Sequence, residues 1–293
     1  MKFISFLQVV FYYYCFLFVI LCILALICST YFILTEQRFP MNELEDYDWF
    51  NTMFLDCADG MLYDMSYSQR YQTNTLPKEF SEHVDNQGTF LDIGSGGGDA
   101  TVGHLRQFFG NDIKIILSDL HPKVNQWSKL SDENISYIRE PVDATHLSNL
   151  PESIKTVTLF GSLHHIDPTT VEKIFAQIRE NNMTLFIVEP RRFCSMLQYL
   201  HILTLPVFGF ITYSLICVGG SAINASNPFF GLVRFLLVPF FMTFDHILGA
   251  ARRYSAEEIE SMSQGLKVHH YWDWTFDYYI LAGNPRFPCD PSL

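Results

Sequence analysis

Apolar residues are spread along this chain in three ways, and each way predicts a different kind of element. Residues 3 to 34 hold no charged side chain. That run exceeds the ~20 residues a helix needs to span a bilayer, and Tyr12, Tyr13, Tyr14 and Tyr31 stand where rings would reach an interface. An acidic, aromatic connector follows over 36–75. Further on, short apolar runs alternate with amphipathic stretches. Strands are predicted at 89–94, 113–118, 135–139, 156–161 and 184–189, and helices at 99–109, 122–130 and 168–181. A second apolar region, with no Asp, Glu, Lys or Arg from Cys194 to Val233, interrupts the alternation. Ser255-Ala256-Glu257-Glu258 then opens another helix as a capping pattern. Two aromatic-rich strands at 266–276 and 278–283 are spaced for an antiparallel hairpin.

This alternation predicts an α/β domain, a mostly parallel sheet with helices on both faces and short right-handed connections. The chain divides accordingly into a transmembrane anchor at 1–35, a connector and N-terminal cap at 36–75, and a domain at 76–293 carrying an apolar insertion at 194–247. A cleaved signal peptide has a shorter core of about 7–15 residues, so the first run reads as an uncleaved anchor. Lys2 and the amino terminus on one flank, with Glu36, Glu43, Glu45 and Asp46 on the other, point to a cytoplasmic amino terminus by the positive-inside rule. One lysine leaves the side of the membrane open.

The insertion breaks at Gly219-Gly220 into pieces at 196–218 and 229–244. A single crossing is excluded, because the strands after it would then face the rest of the sheet across the bilayer. The region crosses twice, lies in the interface, or packs as a lid. The second piece is short and carries Arg234 and Pro239, which favours a membrane-facing helical hairpin that does not cross. An apolar helical cap over the active site is the alternative.

Composition sharpens this picture. Of 293 residues 49% are hydrophobic and 16% aromatic, and the excess sits in the two apolar regions. The net charge of −12 and the lack of a basic stripe argue against a nucleic-acid partner and against charge-driven docking on anionic lipid. The seven cysteines form no CxxC and no Cys/His metal spacing, so free thiols and no metal are expected. The pairs His164-His165 and His269-His270 would, on strands, face opposite sides, which makes neither a natural chelate.

The ends of the predicted strands carry the chemistry, because ligands of open α/β sheets bind outside the carboxyl ends of the strands. The first strand runs through Asp92 into Gly94-Ser95-Gly96-Gly97-Gly98. A dinucleotide fingerprint wants G-x-G-x-x-G; here the glycines fall at 94, 96 and 98, and Asp99 stands where the third would be. The second strand ends in Ser118-Asp119-Leu120, where a carboxylate accepts from both ribose hydroxyls or caps the next helix. Asp143-Ala144 follows the third; Asp143 accepts from an adenine amino group or starts a turn. The fourth ends in Gly161-Ser162-Leu163-His164-His165, and the fifth in Val188-Glu189-Pro190.

In this order the motifs resemble the class I, Rossmann-like methyltransferases that use S-adenosylmethionine (SAM), over about 62–293 apart from the insertion. Leu91-Asp92-Ile93-Gly94-Ser95-Gly96-Gly97-Gly98 looks like motif I, Ser118-Asp119 motif II, Asp143-Ala144 motif III and Ser162-Leu163-His164-His165 motif IV. The closing strands, ending Leu281-Ala282-Gly283-Asn284-Pro285, also fit. The resemblance implies a seven-stranded sheet with strand seven antiparallel between five and six. It implies SAM as cofactor, with Gly94, Ser95 and Gly96 at the methionine part, Asp92 orienting its amino group, and Asp119 with Leu120 at the ribose side. Asp143 and Ala144 fall at the adenine, and Gly161 and Ser162 line the cofactor beside the acceptor. Asp64-Met65-Ser66-Tyr67-Ser68-Gln69-Arg70-Tyr71 resembles segments that fold over SAM in relatives. The chain departs from the family in the length and apolarity of the insertion.

A hydroxyl, phenol or acidic-carbon acceptor needs a base, and His164 or His165 is the candidate. The apolar insertion implies a lipophilic acceptor, a small molecule or lipid drawn from the membrane. Two rivals remain: a SAM-binding, methyltransferase-like membrane protein without turnover, and a nicotinamide oxidoreductase, which Asp99 disfavours.

Overall fold

The computed structural model describes residues 2–47, 84, 88–147, 154–218, 228–273 and 276–283. The segment 64–71, with Tyr67, Arg70 and Tyr71, lies outside the described residues, as do the Gly219-Gly220 turn and Asn284-Pro285. The chain forms two compact units, Met1–Leu62 with Arg192–Arg253, and Tyr63–Arg191 with Tyr254–Leu293.

The second unit is built on strands β1 (Thr89–Ile93), β2 (Lys114–Ser118), β3 (Ile135–Tyr137), β4 (Ile154–Phe160), β5 (Thr184–Pro190), β6 (Lys267–Trp272) and β7 (Phe276–Ala282). They form one 7-stranded sheet in the order β3-β2-β1-β4-β5-β7-β6. Strands β1 to β5 pair in parallel, and β7 runs antiparallel to both β5 and β6. This is the expected arrangement, and the fold is of the class I methyltransferase type. A dinucleotide-binding sheet would instead continue in parallel through its sixth strand.

Both faces of the sheet are covered, so its central strands read as near-continuous apolar runs. On one face Leu91, Ile93, Leu185 and Ile187 meet Val171, Ile174, Phe175 and Ile178 of helix α4 (Pro168–Glu180) and Ile259 of helix α7 (Ala256–Met262). On the other, Phe90, Phe186 and Val188 meet Val102 and Leu105 of α2 (Asp99–Phe109) and Trp127 of α3 (Val124–Leu130). Local sequence sets the helix starts. The Asp167 carboxylate accepts from the N–H groups of Thr169 and Thr170, with Pro168 opening the first turn. Ser255 and Glu258 close a reciprocal capping box on α7. The last hairpin is shorter than its apolar pattern implied, because Asp273 leaves the ladder. Its side chain accepts from Phe276 N–H and the Tyr278 hydroxyl, and it closes the turn.

Among its described residues the first unit has three long α-helices: α1 (Lys2–Thr35, 34 residues), α5 (Ser195–Val218, 24 residues) and α6 (Pro228–Arg252, 25 residues). Among the described residues two stretches, Gln8–Thr35 in α1 and Met196–Leu215 in α5, are long and apolar enough to cross a membrane. Leu21, Ala25 and Cys28 of α1 pack with Ile202 and Leu205 of α5 and with Ile247, Leu248 and Ala251 of α6. Helix α6 runs past the expected end at 244 because residues just after α1 satisfy its charges. Asp245 accepts from Leu44 N–H at 2.6 Å, and Arg252 lies 3.2 Å from Glu43 and 2.6 Å from Asp46. Phe39 N–H donates to the carbonyl of Ala251 at 2.9 Å. Part of the expected connector is therefore bonded along α6.

Arg252 and Glu43 are both buried. Removing one partner of such a pair leaves an uncompensated charge, so Arg252→Ala should cost about 3–5 kcal/mol. Thermal unfolding of the purified chain measures this; a change under about 0.5 kcal/mol, as at ordinary surface sites, would show that the pair is not needed.

Candidate active site

The crevice residues converge because β1, β2 and β4 end side by side. Ile93 pairs with Ser118, and Asp92 with both Leu117 and Thr158. The chain leaves β1 through Gly94, at φ +75°, a conformation side chains avoid. A Cβ there would lie 3.1 Å from Ser162 Oγ. At Gly96, with φ +51°, an added Cβ would meet nothing within 4 Å. The loop therefore offers bare backbone to an open side. Ser95 ties it down: its N–H donates to the Ser118 carbonyl at 3.0 Å, and its Oγ accepts from Ser118 N–H at 3.1 Å.

Asp92 is fully buried. Thr158 Oγ1 donates to its Oδ1 at 2.7 Å, while Oδ2 has no hydrogen-bond partner among the described residues. Burial pushes this carboxyl up to about 7; the hydroxyls of Ser95, Thr158 and Thr101 act against the rise, and the charge of Asp119 adds to it. Ser162, next to Gly94, also has a buried Oγ without a partner among the described residues. Two orphaned polar atoms beside a glycine cradle fit the ammonium and carboxylate of an amino-acid moiety, since buried polar groups otherwise find partners.

The other expected residues fall around this centre. Asp119 accepts from Gly96 N–H at 2.9 Å and from His121 N–H at 2.8 Å, so it braces the loop at the end of β2. Each oxygen keeps acceptor capacity, because a carboxylate offers about four lone-pair sites. Leu120 is 55% exposed, an apolar side chain on the crevice rim. Asp143 starts a turn: its Oδ1 accepts from the N–H and hydroxyl of Thr145 at 2.8 and 2.7 Å, and the hydroxyl bond leads in holding it below the usual carboxylate range. Val142 N–H donates to the Asp119 carbonyl at 2.9 Å, which keeps Asp143 and half-buried Ala144 beside the end of β2. Gly161 N–H donates to the Val188 carbonyl at 2.7 Å, fixing the exit from β4.

His164 is buried, and its Nδ1 lies 2.6 Å from Glu189 Oε2. Leu163 N–H donates to Glu189 Oε1 at 2.7 Å. Burial alone would raise Glu189, but the charge of His164, its hydrogen bond and the Leu163 N–H outweigh that and hold the carboxyl below its usual range. An ionised carboxylate only accepts, so Nδ1 of His164 carries the proton in this bond. His165 is half-buried, with its ring 4.3 Å from that of His164.

Three supporting residues went unread in the sequence. Thr158 holds Asp92, Trp127 Nε1 donates to the Gly96 carbonyl at 2.9 Å, and Glu189, seen only as a strand end, orients His164. A buried threonine in an apolar strand and an acid closing another were the available signals.

No family model and no curated protein matches the chain. Among solved structures it is similar to the pyocyanin biosynthetic protein PhzM, at 15% identity and TM-score 0.46, over 80% of this chain and 60% of that one. It is similar to the mitomycin 7-O-methyltransferase MmcR at 14% identity and TM-score 0.48, over 88% of this chain and 67% of that one. For human N-acetylserotonin methyltransferase, solved with SAM, the values are 12%, 0.43, 80% and 59%. The fold assignment rests on strand order and register, not on these overlaps.

Because Asp92 is raised from 3.8 to about 7, the native state holds its proton more tightly than the unfolded chain, and stability from this group falls as pH rises from about 4 to 7. The full loss is on the order of 4 kcal/mol. Asp92→Asn should therefore flatten this part of the pH dependence and make the ligand-free protein more stable than the parent at pH 8. Urea unfolding at pH 5 and pH 8 compares the two; parallel pH slopes would contradict the assignment.

Proposed function

We propose that this protein is a SAM-dependent methyltransferase, associated with a membrane and acting on a small lipophilic acceptor. The observation that carries the reading is Asp92: a buried carboxylate with one oxygen that has no partner among the described residues, beside a glycine loop with open backbone. A cation delivered there would restore its ionised form, and the α-ammonium of SAM is such a cation.

Gly94 and Gly96 admit the methionine part, and Ser95 fixes the loop behind it. Ser162 offers its hydroxyl to the same moiety. Asp119 accepts from the ribose hydroxyls while bracing Gly96, and Leu120 covers the base. Asp143 and Ala144 present a carboxylate and a backbone amide to the adenine edge, and Gly161 lines the boundary between donor and acceptor.

The bound cofactor supplies a sulfonium methyl for in-line displacement. The protein's part is orientation, and removal of a proton where the acceptor is a hydroxyl, phenol or acidic carbon. Glu189 holds the Nδ1 proton of His164, so the basic nitrogen of the neutral ring is Nε2. His165 is the second candidate base, and Glu189 steadies the resulting imidazolium. An apolar helical unit inserted between β5 and β6, directly after Glu189 in sequence, supports a lipophilic acceptor.

Calorimetry should detect SAM binding by the full chain, with Asp119→Ala weakening it at least about tenfold, a loss of about 1.4 kcal/mol. Failure to bind SAM would overturn the reading. Turnover is sought by screening lipid extracts with methyl-labelled SAM. There His164→Ala should lower kcat by about 10²–10⁴-fold with SAM affinity unchanged. Normal kcat in both His164→Ala and His165→Ala would remove the base assignment. SAM binding without transfer to any extract would favour the non-catalytic alternative.

A further inference from the structure

We propose that the helical unit crosses the bilayer three times, with every connection to the α/β unit on the cytosolic side and the start of α1 on the far side. This rests on the membrane association proposed above; it replaces the cytoplasmic amino terminus and the non-crossing hairpin expected from the sequence with three crossings of the opposite orientation.

The first argument is depth. Helix α1, at 34 residues, is about 51 Å long at 1.5 Å per residue, against about 30 Å of hydrocarbon. Helix α5 accompanies it in the opposite direction. Near one end Phe210 meets Tyr14 and Phe18, with centroids 5.7 and 6.3 Å apart. Midway, Leu21, Ala25 and Cys28 share a cluster with Ile202 and Leu205. Near the other end the Arg192 guanidinium lies 5.1 Å from the Phe32 ring centroid and donates to the Glu36 carbonyl. From Tyr14 to Cys28 the two helices run together for about 21 Å at the helical rise, and the chain entering α5 at Arg192 carries the contact on to Phe32. A segment lying in the interface would touch a spanning helix at one level only; one that follows it from end to end crosses what it crosses.

The return is set by α6. Gln198 Nε2 donates to the Ala250 carbonyl at 2.5 Å, and a Cβ on Gly209 would come within 3.2 Å of Thr243, so α6 packs antiparallel and close along α5. The sheet demands such a return. Strand β5, before the insertion, pairs with β7, after it, from Thr184↔Ala282 to Pro190↔Phe276. Within the unit, two polar side chains at this depth find partners among the helices: the Tyr213 hydroxyl lies 3.1 Å from His246 Nδ1, and Thr243 donates to the Pro239 carbonyl at 2.6 Å. Outward, Phe16, Val19 and Ile23 of α1 and Phe208, Ile211 and Leu215 of α5 are exposed, as a lipid-facing surface requires.

The side follows from arginine. The end of α1, the start of α5 and the end of α6 carry Arg38, Arg191, Arg192, Arg252 and Arg253. The opposite ends carry Lys2 and Arg234, and the 219–227 connection carries no basic residue. Lys and Arg near span ends mark the cytosolic side, and acidic residues contribute little, so Glu36, Glu43 and Asp46 do not offset them. The arginine end is also where the chain passes to and from the α/β unit.

The test is made on the full chain inserted into sealed, cytosol-side-out microsomes. A glycosylation cassette replaces 221–224, with spacers that carry it clear of the bilayer. The expected result is a glycan on the cassette, none on the native sequons at Asn134 and Asn182, and digestion of the α/β unit by added protease. An unglycosylated, protease-accessible cassette overturns the double crossing. A glycan that Asn134→Gln with Asn182→Gln abolishes overturns the orientation. Release by alkaline carbonate overturns the membrane association itself, distinct from both.

Discussion

The pairing of β5 with β7 is the constraint on which the rest of this structure depends. Seven residues of each strand face one another in antiparallel register, yet the entire apolar insertion lies between them in sequence. The sheet is complete only when the chain has left through α5 and come back through α6. Its hydrogen bonds cannot form across a bilayer, so the insertion is bound to return to the side it left. Glu189 sits on this strand, opposite Asp277. The ladder that closes the sheet thus also fixes the carboxylate that holds His164.

Two buried acids at neighbouring strand ends behave in opposite ways. Asp92 has hydroxyls around it and no cation beside it among the described residues, so burial dominates and its carboxyl rises. Glu189 has the charge of His164 and a backbone N–H directed at it, so it falls below its usual range. One is poised to receive a positive group, and the other is already held by the His164 ring and the Leu163 N–H. The proposed division between a cofactor side at β1 and a proton-transfer side at β4 and β5 follows this electrostatic difference.

Much of the α/β unit was legible in the chain. The strands at β1, β2, β4 and β5 stood out because each is a short apolar run bounded by turn residues. The Ser255-x-x-Glu258 capping pattern placed the start of α7, and the helix expected at 168–181 runs from Pro168 to Glu180. The positions of the glycines at 94, 96 and 98 and of Asp92, Asp119 and Gly161 were readable because each lies in or directly after a short apolar run. The bracing of Gly96 by Asp119, the hydroxyl of Thr158 on Asp92 and the indole of Trp127 on the loop were not readable. Each joins residues distant in sequence, and no local pattern marks the partner. Asp143 shows the same limit: its turn was one of two readings that the sequence left open.

By itself the sequence determined the alternation of elements, the identity of the crevice-lining ends and the presence of two long apolar regions. Those properties depend on local periodicity and on residue types that act within a few positions. Only the tertiary structure decided that α6 continues to Arg252, that residues 38–46 lie along it, and that α5 runs antiparallel beside α1 over most of its length. Those outcomes turn on ion pairs and packing between segments far apart in the chain, whose energies exist only once the helices have met.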